Sequence, residues 1–293
     1  MPEGDTVHRT ADRLNQALAG RVVERAELRW PSVPDVDLAG SRTLEVVARG
    51  KHLLHRFDTG ATLHTHLRME GQWRVEHPGA ATQRALRRPD VRAAVLTDTW
   101  SAVGLRLGML DLVATAREDD LVGHLGPDVL GPDWDPDLVA ARLTASDRLV
   151  GDLLLDQRVL AGVGTFWASE ILFVERVLPW TPGRDLDPAV ATRLLHRLHR
   201  LMDLARRTGW QASTGVQRSG EEAYVHARSG RPCRRCGDTV RVAMTGAAPR
   251  ERTLFSCPTC QGGLAPADDG RPQRPLGSTG RSGRGGTYRS GRA

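Results

Sequence analysis

All four cysteines of this 293-residue chain fall into two CxxC pairs, Cys233 with Cys236 and Cys257 with Cys260. Each short turn aims two thiolates at one point, and the segment 237–256 can fold as a hairpin that joins the pairs into a closed tetrahedral site. Disulfide pairing is the other use of four cysteines, and a reducing compartment disfavours it. One structural Zn2+ is therefore the expected cofactor, holding together a small element without a core of its own. Such a site has no open position for catalysis. Arg250 and Arg252 fall near the expected hairpin tip, where they either reach a phosphate or keep a turn solvated.

The formal charge of +6 and pI near 9.8 favour an anionic partner. No apolar run is long enough to span a bilayer, which points to nucleic acid and away from membrane. The opening residues include Glu3 and Asp5 and no continuous apolar stretch, so a secretory signal is not expected and the chain reads as cytoplasmic. Of the 41 Lys and Arg residues, only Lys51 is lysine. GC-rich codon usage explains such a skew without function, whereas a site needing a compact, titratable ammonium explains why one lysine remains.

Residues 5–19 carry Val7, Ala11, Leu14 and Leu18 at helical spacing and end at Gly20. From Arg21 to Thr115 the pattern is strand-like, with apolar stretches at 44–47 and 53–57 and alternation along Leu63, Thr65, Leu67 and Met69. A sandwich or barrel-like antiparallel sheet with a leading helix follows. The segment GHLGPDVLGPDWDPD at 123–137 reads as a linker or hinge. Helices are expected at 136–143, 147–157, 167–176 and 188–207. From Gly262 the composition turns to Gly, Arg, Ser and Pro, a disordered basic tail that attracts phosphate without sequence preference or serves only solubility. The resulting division is an N-terminal sheet domain at 1–122, the linker 123–137, a helical domain at 138–225, a metal finger at 226–261 and the tail 262–293.

Two further places carry chemistry. Removal of Met1 would turn the Pro2 nitrogen from an inert amide into a secondary amine, a nucleophile, with Glu3 beside it as a proton donor. A common, easily processed start explains the same three letters. In LLLDQRVLAGVGTFWASEILF, from Leu153 to Phe173, Gly162 and Gly164 allow a tight turn before a new helix at Thr165 or Phe166. Backbone N–H groups at that helix start form a natural phosphate seat, although an ordinary helical hairpin shows similar glycines. Glu170 then lies one to two turns into the helix, facing the site or a surface.

Taken in order, MPEG at the start, GKHLL at 50–54, HLRMEG at 66–71, LLLDQRVLAGVG at 153–164 and the two CxxC pairs resemble the formamidopyrimidine-DNA glycosylase and endonuclease VIII family of base-excision repair enzymes. The resemblance spans nearly all of residues 1–261. It implies an α+β multidomain architecture: an N-terminal β-sandwich with its leading helix, a helix-two-turn-helix domain and a zinc-finger hairpin. It also implies a glycosylase and abasic-site lyase acting on damaged DNA as a monomer, without an organic cofactor. By the same resemblance Pro2 is the catalytic amine, Glu3 the general acid, and Lys51 and Arg252 phosphate contacts. Met69 is the void-filling residue, Gly164 and Thr165 the phosphate-binding turn, and Glu170 a site-facing glutamate.

Departures from the family pattern bear on substrate. Asp5 and Thr165 stand where other residues are usual. Residues 104–111, GLRLGMLD, lack the Asp-Pro-Arg-Arg-Phe-Gly loop with which the guanine-lesion branch probes the opposite base. With GQWRV and GPDVL also similar to the endonuclease VIII branch, oxidised pyrimidines are the expected substrates. HLRMEG is closer to the guanine branch and keeps oxidised purines as the alternative. Other readings are a non-catalytic DNA-binding protein on the same fold and a zinc-ribbon protein of RNA metabolism.

Overall fold

The computed structural model describes residues 2–271 and Gln273, apart from Ser32, Pro34, Asp35, Ala248 and Arg250. The expectation for Arg250 and most of the tail therefore lie outside the described residues.

Helix α1 (Gly4–Leu18) leads into strands β1 (Arg25–Leu28), β2 (Thr43–Arg49), β3 (His52–Phe57), β4 (Ala61–His66) and β5 (Gln72–Glu76). A short helix α2 (Ala80–Leu86) precedes β6 (Val91–Leu96), β7 (Ser101–Leu105) and β8 (Met109–Ala114). Two four-stranded antiparallel sheets result, ordered β1-β6-β7-β5 and β2-β3-β4-β8. Val7, Leu14 and Leu18 of α1 meet Val46, Leu53, Phe57, Leu63, Val95 and Leu110 of the strands in one core. Period-2 alternation places these strand residues on the inner faces, so hydrophobic burial dictates the register.

The alternation fails at Met69. β4 ends at His66, and a turn closed by Gly71 N–H to Leu67 O, with Arg68 at φ +53, lifts Met69 out to 66% exposure. An expected inner-face position is thereby an exposed loop tip. His64, expected on the outer face, is fully buried there.

After α3 (Asp119–Val122), the segment expected as a linker is clamped by its own side chains. Asp128 is 1% exposed; its carboxylate accepts from Gly50 N–H at 2.6 Å and lies 2.9 Å from His8 Nε2. Arg49 pairs with Asp133 at 2.8 Å. These ties join the segment to α1 and to the β2–β3 turn, which its composition does not signal.

Helices α4 (Pro136–Thr144), α5 (Val150–Leu155), α6 (Thr165–Val174) and α7 (Pro188–Thr208) form the second core. α7 starts on Asp187, whose side chain accepts from Ala189 and Val190 N–H, and stops at Gly209 in the left-handed conformation. α6 is apolar nearly all round and buried from Thr165 to Phe173, the signature of a central helix. Trp167 alone, fully buried, contributes roughly 2–3 kcal/mol of hydrophobic stabilisation.

The hairpin of β9 (Arg241–Thr245) and β10 (Arg252–Ser256), followed by α8 (Pro258–Gln261), docks on α6. Phe255 N–H donates to Ser169 Oγ at 3.2 Å, and the Arg235 guanidinium lies 4.2 Å from the Phe173 ring centroid. Disorder was expected from Gly262, yet the described chain continues beyond it. Ala265 is buried, Arg241 pairs with Asp268 at 2.7 Å and Gln273 bonds Val242. The buried alanine, the ion pair and the hydrogen bonds of Arg241 to the Gly270 and Arg271 carbonyls hold this stretch, which composition averaged over the tail conceals. Among the described residues no helix is long and apolar enough to cross a membrane.

Candidate active site

Three segments far apart in sequence converge at the start of α6. The first is the N-terminus. Gly4 N–H donates to Gly162 O at 2.8 Å, and a Cβ on Gly4 would lie 2.9 Å from Gly162 Cα. Only glycine permits this approach of α1 to the turn before α6. It carries Glu3, fully buried, into the second core. Glu3 Oε1 accepts from Phe166 N–H at 2.8 Å, and Oε2 accepts from Gly164 N–H at 2.8 Å and Trp167 N–H at 3.3 Å. Pro2, partly buried, precedes it directly.

The turn at Gly164 and Thr165, expected as a phosphate seat, does begin a helix, but the N–H groups of Gly164, Phe166 and Trp167 are engaged by a tethered carboxylate at its positive end. Gly164 is buried, Thr165 is 8% exposed, and neither offers an open cradle.

The second segment is the Gly50–Lys51 turn. Gly50 sits at φ +60, with its N–H on Asp128, and this aims Lys51 Nζ at Val163 O, 2.7 Å away. Gln157 donates to the same carbonyl at 2.9 Å, while its own Oε1 accepts from Gly162 N–H at 3.0 Å. Gln157 lies inside the quoted motif LLLDQRVLAGVG, but nothing in the spacing signalled this part. The third segment is β10, whose first residue, Arg252, is exposed and close enough to Lys51 to act on it electrostatically.

Burial raises the Glu3 carboxyl above its ordinary value; Lys51 and the Phe166 and Gly164 N–H groups oppose that shift, and Asp5 adds to it. Burial lowers the Lys51 ammonium, Glu3 opposes this and Arg252 reinforces it. Asp5, also raised by burial, accepts from Trp167 Nε1 at 3.0 Å and Gln211 Nε2 at 3.1 Å. The site thus holds a carboxyl that keeps its proton to higher pH and an ammonium that releases its own more readily.

Glu170 does not face this site. It is fully buried within α6 and accepts from Tyr224 and Val225 N–H at 2.8 Å, from His226 N–H at 2.7 Å and from Ser213 Oγ. All its acceptor capacity is spent on the loop 213–226, which corrects the expectation that it touches a ligand. Beside α1, a cavity of about 250 Å³ is lined by Asp5, Thr6, Arg9, Trp73 and Gln211 among others. Met69 stands exposed on the adjoining turn. The β7–β8 connection is three residues, Arg106 to Gly108, and Leu105 and Leu107 on either side of Arg106 are buried.

The four cysteine sulfurs lie within 4.8 Å of one another. Positive-φ glycines, Gly237 and Gly262, close the two turns that carry them. Four thiolates gathered at one point fit a tetrahedral metal ion with no vacant position.

Comparison with known proteins gives a consistent result. Residues 1–103 match the formamidopyrimidine-DNA glycosylase N-terminal domain, and residues 125–216 match the formamidopyrimidine-DNA glycosylase H2TH domain. The chain is 47% identical over 274 residues to a probable endonuclease 8 2 of Streptomyces coelicolor, covering 92% of this chain and 98% of that one. It is 41% identical to a DNA-(apurinic or apyrimidinic site) lyase Nei2 of Mycolicibacterium smegmatis, covering 89% and 99%. Among solved structures, the MutM (Fpg) protein of Thermus thermophilus superposes with a TM-score of 0.70 at 29% identity, over 90% of this chain and all of that one.

Proposed function

The chain belongs to the formamidopyrimidine-DNA glycosylase and endonuclease VIII family, on the endonuclease VIII side, and on that footing we propose that it excises oxidised bases from DNA and cleaves the resulting abasic site. The observation that carries the reading is the burial of Glu3, next to Pro2, against α6, with Lys51 delivered to the same turn.

With Met1 removed, the Pro2 secondary amine attacks C1′ of the damaged nucleotide. Glu3, whose carboxyl burial raises above its ordinary value, protonates the sugar-ring oxygen as the ring opens, and the damaged base leaves. The product is a covalent iminium. Its positive charge acidifies C2′, loss of that proton expels the 3′ phosphate, and a second elimination releases the sugar remnant at the 5′ side. Lys51 and Arg252 hold the backbone through phosphate oxygens. Flipping the nucleotide costs a few kcal/mol, and Met69, an exposed apolar tip, fills the vacated stack. The cavity beside Asp5 and Gln211 is large enough to receive the extruded base.

Zinc in the four-cysteine group holds the hairpin that carries Arg252, and it supplies structure only. The catalytic domain is assigned to residues 1–122, the helical DNA-binding domain to 138–225 and the finger to 226–261. We assign the enzyme to the cytoplasm as a monomer that needs no organic cofactor.

Buried Leu105 and Leu107 leave Arg106 as the one charged side chain of the β7–β8 turn, paired with Glu70 at 3.2 Å. That supports oxidised pyrimidines over guanine lesions, and cleavage of a lesion panel in duplexes tests it. Borohydride trapping on abasic DNA tests the chemistry. A covalent adduct formed by processed wild type and lost in Pro2→Gly with Met1 retained supports the enzyme, whereas no adduct from wild type of verified mass reduces the protein to a DNA binder.

A further inference from the structure

The outer face of the β2-β3-β4-β8 sheet carries a hydrogen-bonded chain that the reaction above does not use. His64 Nδ1 on β4 lies 2.9 Å from Asp111 Oδ2 on β8, and His64 Nε2 lies 2.8 Å from His52 Nδ1 on β3. The carboxylate sets the tautomers. An ionised Asp111 only accepts, so His64 carries its proton on Nδ1; its Nε2 must then accept, so His52 carries its proton on Nδ1. In the neutral ring, His52 Nε2 is left as a bare lone pair.

The surroundings of His52 are basic. His66 packs edge-on at 5.0 Å between centroids, and Arg68 from the β4–β5 turn and His124 from the 123–137 segment act on it as well as His64. Lys51 acts on His66. Burial followed by this crowding depresses His52 to about 3, and burial with Arg68 and Lys51 depresses His66 to about 4. His52 and His66 are half-buried, while Arg68 and His124 are exposed. Asp111, 35% exposed at the far end of the chain, is the carboxylate that pairs with it.

We propose that His52, backed by His64 and Asp111, is a proton-gated binding site for a backbone phosphate of DNA, completed by Arg68 and His124. This rests on the DNA-binding reading above. A solvent proton binds His52 Nε2, and the new N–H donates to a phosphate oxygen. The added charge spreads inward as His52 Nδ1–H leans on His64 and His64 Nδ1–H leans on Asp111. The phosphate offsets the repulsion from Arg68, His66 and His124, so His52 holds its proton to higher pH in the complex than in the free protein. The contact is therefore present below the complex value and is lost as pH rises through it.

The test is the salt dependence of binding to a duplex with hydroxyl ends and a tetrahydrofuran abasic analogue, measured at pH 5 and pH 8 with the full chain. One extra phosphate contact steepens the slope of log K against log salt by about 1. Wild type is expected to show the steeper slope at pH 5 only, and His52→Gln the same slope at both values. Asp111→Asn keeps the imidazoles but removes the charge behind them, and should shift the change of slope to lower pH. A pH-independent wild-type slope, a full pH difference retained in His52→Gln of native melting temperature, or an unmoved midpoint in Asp111→Asn would each overturn the proposal. Absence of DNA binding at both pH values would overturn the underlying reading, and the proposal with it.

Discussion

The carboxylate of Glu3 lies across the first turn of the helix that begins at Thr165, 2.8 Å from the N–H groups of both Gly164 and Phe166. The residue beside the proposed nucleophile is thus positioned by the helical domain, and the two domains share one site.

Burial raises Glu3, so its contribution to stability is present below the unfolded value of 4.5 and is lost as pH rises through its folded value. In the proposed mechanism the same proton is the one spent on ring opening. Base excision should therefore decline with rising pH before cleavage of a preformed abasic site does, and Glu3→Gln should remove that difference. Single-turnover rates on lesion-containing and abasic duplexes between pH 5 and 9 measure it; superimposable profiles would contradict the assignment.

A Cβ on Gly164 would lie 2.5 Å from Glu3 Cδ and Oε1, while its φ of −124° is open to any residue. Gly164→Ala therefore acts by displacing Glu3 and not by backbone strain. Excision should fall at least about tenfold with a stability loss of roughly 1–3 kcal/mol, read by kinetics and denaturant melts. Wild-type excision in this variant would show that the Glu3 position is not critical.

Glu170→Gln replaces one carboxylate oxygen by an amide donor facing N–H groups. The loop 213–226 loses about two charge-assisted hydrogen bonds, a cost on the order of 2–4 kcal/mol. Hydrogen exchange at Tyr224, Val225 and His226 should accelerate ahead of that in α6. Equal protection in both proteins would mean that the loop has other anchors.

Met69→Ala removes an exposed side chain, so stability should change by less than about 0.5 kcal/mol. Processing of a lesion in duplex should still fall, since nothing fills the vacated stack, while the same lesion in single-stranded DNA should be spared. Equal losses on both substrates would argue against a wedge.

Chelation should free the hairpin that carries Arg252, because a metal held by the four clustered thiols would join Cys233 and Cys236 to Cys257 and Cys260 across it. DNA affinity is expected to drop about tenfold or more, with the β-sandwich still folded by circular dichroism. Unchanged affinity after verified metal loss would separate Arg252 from DNA binding.

Much of the architecture was legible in local pattern. Period 3.6 along Val7 to Leu18 and along α7, the apolar stretch of β3, period 2 in β4, and the cysteine spacing each need only neighbouring residues to be read. The motifs brought Pro2, Glu3, Lys51 and the glycine turn to attention as a set. The partners of Asp5 and the His8–Asp128 pair escaped, because each bond joins residues more than a hundred positions apart, and Gln157 escaped because no periodicity marks its bonds to Gly162 and Val163.

The residues that could carry chemistry, the elements they sit on and the metal-ligand spacing were determined by the sequence itself, through burial periodicity and side-chain type. What each polar group does was decided only by the tertiary structure. The α6 N-terminus holds Glu3 instead of an open phosphate seat, Glu170 turns inward to a loop, and Met69 leaves the core for the surface. A buried donor or acceptor takes whichever partner the packing brings within about 3 Å, and that partner is set by long-range contacts that local spacing does not encode.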